Sequence, residues 1–551
     1  MTNYTFQSLL DFTRTTSGTF VGSNGLIQTT PASVNLLTFT QDFDNAVWTK
    51  TNATITANAT TAPDGTATAD AVVEDATASA VHRLASSGSS VTSGLTYTLS
   101  VFAKKNAVDF LFLNYGSAFF GAAAAVFNIA TGSVVSQTLG TASISSVGNG
   151  WYRCVFVVTA IATGSSQIFY QPSDNSSSAA YTGVNGRTSA FLWGAQLEVG
   201  STATDYTRNN GGVYPARFDY DPATLQPKGI LIEEQRVNLL LYSQDLTNAA
   251  WVPSNITVTA NATTSPDGTV NAELLTPSST SAIIYQTVNL TAASYTYSVW
   301  LRSGTGSNVS LNISANGSGV TPNPTSTAIT VTPQWQRFTL QLSGLVATAN
   351  IIIGSTTAGS WPSGATIYAW GAQVELGAFA TSYIPTVASQ VTRTADQCTI
   401  TAPMFAPWYN QTQGTFVVNF DVLSVANTNQ HNIFSLYTTA TNYMRVWLWE
   451  GAPTLGRWTV SNVTTQADLT SSALSANSVI KNAVTYNLND FASSYNGAAA
   501  STDTSGTVPV GFTQLNLGSF TGVTGIMCGH IRTIQFYPVR LADFQLQALT
   551  G

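Results

Sequence analysis

Short runs of alternating apolar and polar residues, broken by clusters of Gly, Ser, Asn and Asp, fill the chain from end to end. Tyr97-Thr98-Leu99-Ser100-Val101-Phe102-Ala103 and Tyr295-Thr296-Tyr297-Ser298-Val299-Trp300-Leu301 alternate with period two. Trp151 to Val158 and Trp335 to Leu340 are rich in aromatic and β-branched residues, as are Thr415 to Phe420, Tyr443 to Trp449 and Ile531 to Tyr537. Runs of this kind between turn residues predict an all-β chain of sandwiches or barrels. The pattern predicts one helix, Leu541 to Leu549 after Pro538. Its leucines and Phe544 fall at helical spacing and should cap the last sandwich.

One phrase occurs twice. Trp193-Gly194-Ala195-Gln196-Leu197-Glu198-Val199-Gly200 returns as Trp370-Gly371-Ala372-Gln373-Val374-Glu375-Leu376-Gly377, followed at the same distance by Tyr206 and Tyr383. Upstream, Asn35-Leu36-Leu37 matches Asn238-Leu239-Leu240, and Trp48 matches Trp251. Pro63-Asp64-Gly65-Thr66 matches Pro266-Asp267-Gly268-Thr269, and Trp151 matches Trp335. A period this long marks a duplicated domain, because solenoid units run roughly 20–50 residues. Period two within the phrase puts Trp193 and Trp370 on the core face with the aliphatic residues. It puts Gln196, Glu198, Gln373 and Glu375 on an opposite, solvated face.

The organisation that follows is a strap at 1–34, a first β-domain at 35–208, a connector at 209–237, a second β-domain at 238–395 and an unrelated third unit at 396–551. The strap and connector carry Phe6, Leu9, Leu10, Phe12, Tyr214, Phe218 and Tyr220 in segments too short to bury them alone. They are expected to pack along neighbouring domains, the first of them as an attachment strap.

Composition sharpens this. Charged residues make up 8% of the chain, against about 25% in a typical soluble protein. So little charge protects a monomer poorly against association, which favours a part repeated in an assembly. A net charge of −7 and a pI near 4.9 argue against nucleic acid. Cys154, Cys398 and Cys528 form neither a disulfide framework nor a metal pattern and are expected as small buried hydrophobes. The N-terminus lacks a signal-peptide pattern and no apolar run is long enough to span a bilayer, so membrane insertion and secretion by a leader are not expected.

Taken together, Asn-Leu-Leu, Gln41-Asp42-Phe43-Asp44-Asn45-Ala46-Val47-Trp48, Pro-Asp-Gly-Thr and Trp-Gly-Ala-Gln-Leu-Glu resemble the carbohydrate-binding-module-like jelly rolls of a group of bacteriophage virion proteins. The stretch Gly229 to Leu240 is similar to the link that precedes those modules. Gly529-His530-Ile531-Arg532 through Leu549 resembles the closing strand and helix of their concanavalin A-like (laminin-G-like) domains. The resemblance implies two tandem jelly rolls and a concanavalin A-like sandwich, in a homo-oligomer for which a trimer is favoured. It implies a place on the virion, as a surface appendage (tail fibre, spike or head fibre) or on the capsid exterior. The partners implied are other virion proteins and, for an appendage, host surface polysaccharide. The alternative is a capsid decoration or tail structural protein that grips only neighbouring subunits.

No catalytic constellation accompanies these features. His82, His431 and His530 lie in unrelated segments without a nucleophile elbow. Glycoside hydrolysis needs two carboxylates across a cleft, whereas Glu233 and Glu234 are adjacent and Asp219 and Asp221 lie in the connector. A polysaccharide depolymerase is therefore not expected, and no cofactor is called for. The candidate glycan or partner surface is the strand face Tyr443, Arg445, Trp447, Trp449, opposite Met444, Val446 and Leu448. Aromatic rings stack on sugar C–H groups while an arginine takes hydroxyls; core or subunit interface is the competing reading for Trp447 and Trp449. Jelly rolls of this kind often hold a structural calcium, for which Asp64, Glu198, Asp267 and Glu375 are the recurring carboxylates.

Overall fold

The computed structural model describes residues 10–30, 35–211, 214–317, 325–343, 347–354, 361–423, 430–449 and 454–551. Phe6 and Leu9 lie outside them. The chain is all-β: two jelly-roll sandwiches followed by a concanavalin A-like sandwich. It divides into two units. One contains residues 35–211, and the other contains 14–30, 216–399 and 408–551.

In the first unit two six-stranded antiparallel sheets face each other. Thr96–Lys105 and Thr188–Val199 are central in one, Phe110–Tyr115 and Ile168–Ser173 in the other. Leu99, Val101, Leu111, Leu113, Phe156, Leu192, Ala195 and Leu197 fill the space between them. The second jelly roll repeats this with five strands per sheet around Tyr297, Val299, Ile313, Ile351, Ile353 and Val374.

The duplicated landmarks are hydrogen-bonding devices. Asn35 donates from Nδ2 to the carbonyls of Ala195 and Thr207 (2.9 Å each) and accepts from the Leu37 and Leu197 amides. Asn238 does the same with Ala372, Ile384, Leu240 and Val374. Each asparagine thus stitches the entering chain to the strand of the repeated phrase and to the segment after it, satisfying buried main-chain groups that water cannot reach.

Trp193 and Trp370 are buried, but not on the face that strict alternation assigns them. Gly194 (φ 64°) and Gly371 (φ 66°) sit in the left-handed region. The strand register slips beside them, between Ser100 and Phe102 and between Ser298 and Trp300. A glycine bulge inserts one extra residue and reverses the parity of everything beyond it. Leu192, Ala195 and Leu197 therefore face the core between the sheets, while Trp193, Gln196 and Glu198 share the outer face.

That outer face is covered, not solvated. The returning chain crosses it. Gln196 donates to Glu198 and accepts from the Thr207 amide, and Glu198 accepts from the Thr204 amide (3.0 Å) and hydroxyl (2.7 Å). Arg153 ties Ser100 Oγ to the Thr204 carbonyl. The second copy reproduces the clasp with Gln373, Glu375, Thr381, Arg337 and Ser298. Gln196, Gln373 and Glu375 are fully buried.

In the second unit, residues 217–232 of the connector are extended and form two strands that pack along the C-terminal sandwich. Arg217–Tyr220 pairs with Pro227–Ile232, which pairs with Gly529–Tyr537. They extend one sheet of the C-terminal sandwich to seven strands. Residues 14–30 lie on the second jelly roll, where the Ile27 amide donates to the Pro266 carbonyl (2.9 Å) and the side chain packs near Trp370.

A buried ionic cluster joins these pieces. Arg14 pairs with Asp396 at 2.8 Å, Arg217 pairs with Asp396 and with Glu233 (2.7 Å), and Arg393 pairs with Glu233. All five side chains are sealed from solvent. Burial alone would raise Glu233, but Arg393, Arg217 and the Ser382 donors overcome it and hold the carboxyl below the usual range. Burial also pulls Arg14 down to about 10 against the opposing pull of Asp396. Five of the chain's few charged side chains are thus enclosed in one cluster.

The closing helix spans Asp543–Thr550. Leu546 is buried against Val417, Ala483 and Ala492, with Leu541 and Leu549 beside it. Phe544, grouped with those leucines by its spacing, instead points to solvent at 72% exposure, because position 544 falls on the side of the helix away from 546 and 549.

Candidate functional site

The strand Asn442–Trp449 divides its side chains as period two requires. Met444, Val446 and Leu448 are fully buried between the sheets, and Tyr443, Arg445, Trp447 and Trp449 lie on the outer face. The structure brings these four together as a stack. The Arg445 guanidinium sits 4.1 Å from the Trp447 ring centroid, 4.5 Å from Phe520 and 5.4 Å from Tyr443. Arg457, from the neighbouring strand Leu455–Asn462 and in register with Trp447, lies 5.0 Å from the Trp447 ring and 5.4 Å from Trp449. Trp447 and Trp449 meet edge to face at 5.5 Å.

Each inner member is locked. Arg445 donates to Gln430 Oε1 (2.8 Å) and Asn432 Oδ1 (3.3 Å). Trp447 Nε1 donates to Thr459 Oγ1 at 2.8 Å. Burial lowers Arg445 somewhat, although Tyr443 opposes the shift. Trp447 is only 3% exposed and Arg445 8%, so neither offers an open surface. Trp449 does, at 46%. Beside it Arg457 forms a two-pronged pair with Asp468, both partly exposed. The accessible chemistry is therefore one aromatic ring next to a guanidinium and a carboxylate, on a base that cannot rearrange cheaply.

Sequence reasoning missed Phe520, Arg457, Asp468 and Thr459. The alternation Arg457, Thr459, Ser461 against Trp458 and Val460 carried a signal for Arg457 and Thr459. Phe520 comes from a loop and left none.

The other candidate groups are engaged within the fold. His530 lies between two carboxylates, with Nδ1 2.6 Å from Asp421 and Nε2 2.9 Å from Asp219, and Arg532 also bonds Asp421. Burial would lower its pKa, but the bonds to Asp219 and Asp421 raise it overall, and both ring nitrogens are engaged by carboxylates. Asp221 accepts the Ala223 and Thr224 amides of a turn. Asp64 and Asp267 accept the amides and hydroxyls of Thr66 and Thr269 in their turns. Glu198 and Glu375 belong to the outer-face clasps. Among the described residues no three His, Cys, Asp or Glu gather as a metal set. The three cysteines are buried and unbridged, and no helix among the described residues is long and apolar enough to cross a membrane.

A second feature lies in the first jelly roll. A cavity of about 100 Å³ opens beside Trp48, lined by residues that include Leu36, Thr38, Val47, Ser86 and Gly88. Trp48 forms its buried wall, with Nε1 donating to the Phe39 carbonyl at 2.9 Å.

No protein-family model matches the chain, and no curated protein does. Several solved structures are similar to parts of it. The CBM40 of the Ruminococcus gnavus IT-sialidase bound to α2,3-sialyllactose aligns at 19% identity over 26% of this chain and 84% of that one, with a TM-score of 0.23. The CBM22-1–CBM22-2 tandem of Paenibacillus barcinonensis Xyn10C aligns at 12% identity over 63% of this chain and 100% of that one, with a TM-score of 0.23. Domains LG4-5 of the mouse laminin α1 chain align at 8% identity over 48% and 88%, with a TM-score of 0.20. The strand pairings of this chain themselves define three sandwiches.

Proposed function

We propose that the protein is a non-enzymatic structural component of a bacteriophage virion, an oligomeric appendage whose C-terminal sandwich contacts host-surface glycans. The observation that carries this reading is the exposed Trp449 at the end of a locked arginine–aromatic stack, beside the Arg457–Asp468 pair. A pyranose ring presents C–H groups that pack on an aromatic face, and an adjacent guanidinium and carboxylate can take its hydroxyls from the side. Weak binding at one such site suffices when several copies act together. The virion assignment is supported by the resemblance of the duplicated motifs, and the oligomer by the low surface charge. The test is Trp449→Ala in assembled particles. Lost adsorption with unchanged particle composition supports an adhesin, whereas unchanged adsorption and assembly removes the face from the account.

A second reading is favoured by the closed state of Arg445 and Trp447. A stack this well covered also serves as a rigid pad for a neighbouring subunit, as in a capsid decoration. Failure of Trp449→Ala to incorporate into particles supports it.

A further inference from the structure

We propose that the first jelly roll holds a second sugar contact: the cavity beside Trp48 takes a vicinal diol of a pyranose, held by the main-chain N–H and C=O of Thr38. The proposal rests on the glycan-binding reading above and extends it to another domain.

The duplication supplies the argument. Thr49 and Lys50 pair with Ala85 and Leu84, and Val252 and Pro253 pair with Tyr285 and Ile284. Ser86 and Gln286 therefore occupy the same place in the two copies, as do Thr38 and Leu241. In the second copy Gln286 fills that place. Its Oε1 accepts from the Leu241 amide at 2.6 Å and its Nε2 donates to the Leu241 carbonyl at 2.8 Å. In the first copy the serine is too short to reach across, and its Oγ instead accepts from the Ile168 amide at 3.0 Å. Among the described residues the main-chain N–H and C=O of Thr38 have no hydrogen-bond partner. The cavity lies where the glutamine would be, lined by both Thr38 and Ser86.

The occupant must reproduce what the carboxamide does, an acceptor next to a donor. Two neighbouring hydroxyls meet this, because each can donate or accept. A carboxylate has no donor and an ammonium no acceptor. A trans secondary amide points its N–H and C=O in opposite directions and cannot close the pair. At about 100 Å³ the cavity is smaller than the ~150 Å³ space that admits a benzene ring. One edge of a sugar enters, and the ring stays at the mouth, where Leu36, Val47 and Thr38 are half-buried and Ser87 is exposed.

The experiment titrates the full chain with methyl α-glucopyranoside, methyl α-mannopyranoside and methyl α-galactopyranoside, following ligand and Trp signals by NMR. Wild type is expected to bind at least one of them. Ser86→Gln, which installs the plug of the second copy, should weaken that binding at least tenfold while the chain still unfolds cooperatively, at a melting temperature lowered only by loss of the Ile168 amide's bond to the serine hydroxyl. Gln286→Ser should add one binding site in the second jelly roll, and removing either hydroxyl of the bound diol should abolish the effect. Should Ser86→Gln fail to fold, the Gln286→Ser and deoxy-sugar measurements decide alone. Binding that survives Ser86→Gln but disappears in Trp449→Ala overturns this inference and leaves the glycan reading standing. Binding of propionamide but of no hexoside overturns it in favour of a partner's carboxamide side chain. Wild type that binds no sugar at either place overturns both readings.

Discussion

Trp370 packs against Tyr383 with ring centroids 4.7 Å apart and planes inclined at 51°, and Trp193 meets Tyr206 at 4.7 Å and 55°. The same two rings close the same outer face in both jelly rolls, and each tyrosine hydroxyl reaches the equivalent entering-chain hydroxyl, Thr40 Oγ1 at 2.7 Å and Ser243 Oγ at 2.6 Å. The tryptophan thus holds the returning segment that the Gln-x-Glu clasp also grips.

Trp193→Ala and Trp370→Ala should each cost about 3–5 kcal/mol, the usual range for truncating a buried tryptophan. The tyrosine contact is repeated, but Trp193 Nε1 also donates to Thr68 Oγ1 at 3.0 Å whereas Trp370 Nε1 has no partner among the described residues. Urea unfolding of the full chain should therefore show a substantial loss for both variants, with the larger hydrogen-bond share in Trp193→Ala. A large loss in one copy with none in the other would contradict their structural equivalence.

Glu233 is the centre of the buried ionic cluster, and Glu233→Gln removes its charge without changing its shape. Arg217 and Arg393 would then be left under-compensated in a dry interior, at a cost of about 3–5 kcal/mol. Its carboxyl is held below the ordinary range. The stability it supplies is therefore present above the unfolded value near ~4.3 and is lost as pH falls toward the folded value. Acid unfolding curves should show this as a steep loss below that point in wild type and a flatter one in Glu233→Gln.

The duplication, the three sandwiches and the buried state of Trp193 and Trp370 were legible because a repeated phrase and period two are local signals. The face of Trp193 was misread, and so was the solvation of the outer face that Gln196 does occupy. One glycine in the left-handed region shifts the parity, and Trp-Gly-Ala-Gln does not say whether its glycine is paired or bulged. The Arg14, Arg217, Glu233, Arg393 and Asp396 cluster was illegible, since its members come from distant segments and meet only through strand addition by 217–232. At the candidate site the strand face Tyr443 to Trp449 could be read from alternation. That Phe520 and Arg457 would cover its centre and leave only Trp449 open depends on a loop and a neighbouring strand.

Two carboxyls at equivalent places in the jelly rolls, Asp70 and Glu273, are pushed up to about 7 by burial. Asp70 accepts the Phe43 and Asn58 amides, whereas Glu273 Oε2 has no partner. A carboxyl whose folded pKa is raised contributes stability below its unfolded value and loses it as pH rises through the folded value. For Glu273 the loss falls between about 4.3 and about 7. Glu273→Gln should therefore raise the melting temperature relative to wild type at pH 8 and change it little at pH 4. No difference between the two pH values would mean that Glu273 is ionised in the fold.

His530 acts in the same direction at higher pH. Burial lowers its pKa, but the bonds to Asp219 and Asp421 raise it overall. The stability of that triad is present below the unfolded histidine value near ~6.5 and is lost as pH rises through the folded one. Wild type should lose stability above neutrality more steeply than His530→Gln. Histidine NMR titration would report the protonated ring persisting past the unfolded value.

Truncating Trp447 and Trp449 in turn separates packing from contact on the stack itself. Trp447 is 3% exposed, receives Arg445 at 4.1 Å and donates to Thr459, so Trp447→Ala leaves a cavity and removes the ring on which Arg445 and Arg457 both rest. It should cost about 3–5 kcal/mol. Trp449 is 46% exposed, and among the described residues its ring meets the outer edge of the stack through Trp447 and Arg457. Its truncation forfeits one edge-to-face contact, worth about 0.5–1.5 kcal/mol, and one exposed guanidinium contact, worth about 0.5–1 kcal/mol, and should leave folding intact. Urea unfolding of the two variants should therefore differ by several-fold in lost stability. The consequence is practical: lost adsorption in Trp447→Ala says little, because a damaged sandwich explains it, whereas lost adsorption in Trp449→Ala reports on the surface. If Trp449→Ala destabilises the chain as much as Trp447→Ala, the exposed ring is part of the packing, and the adhesin reading loses the residue that carries it.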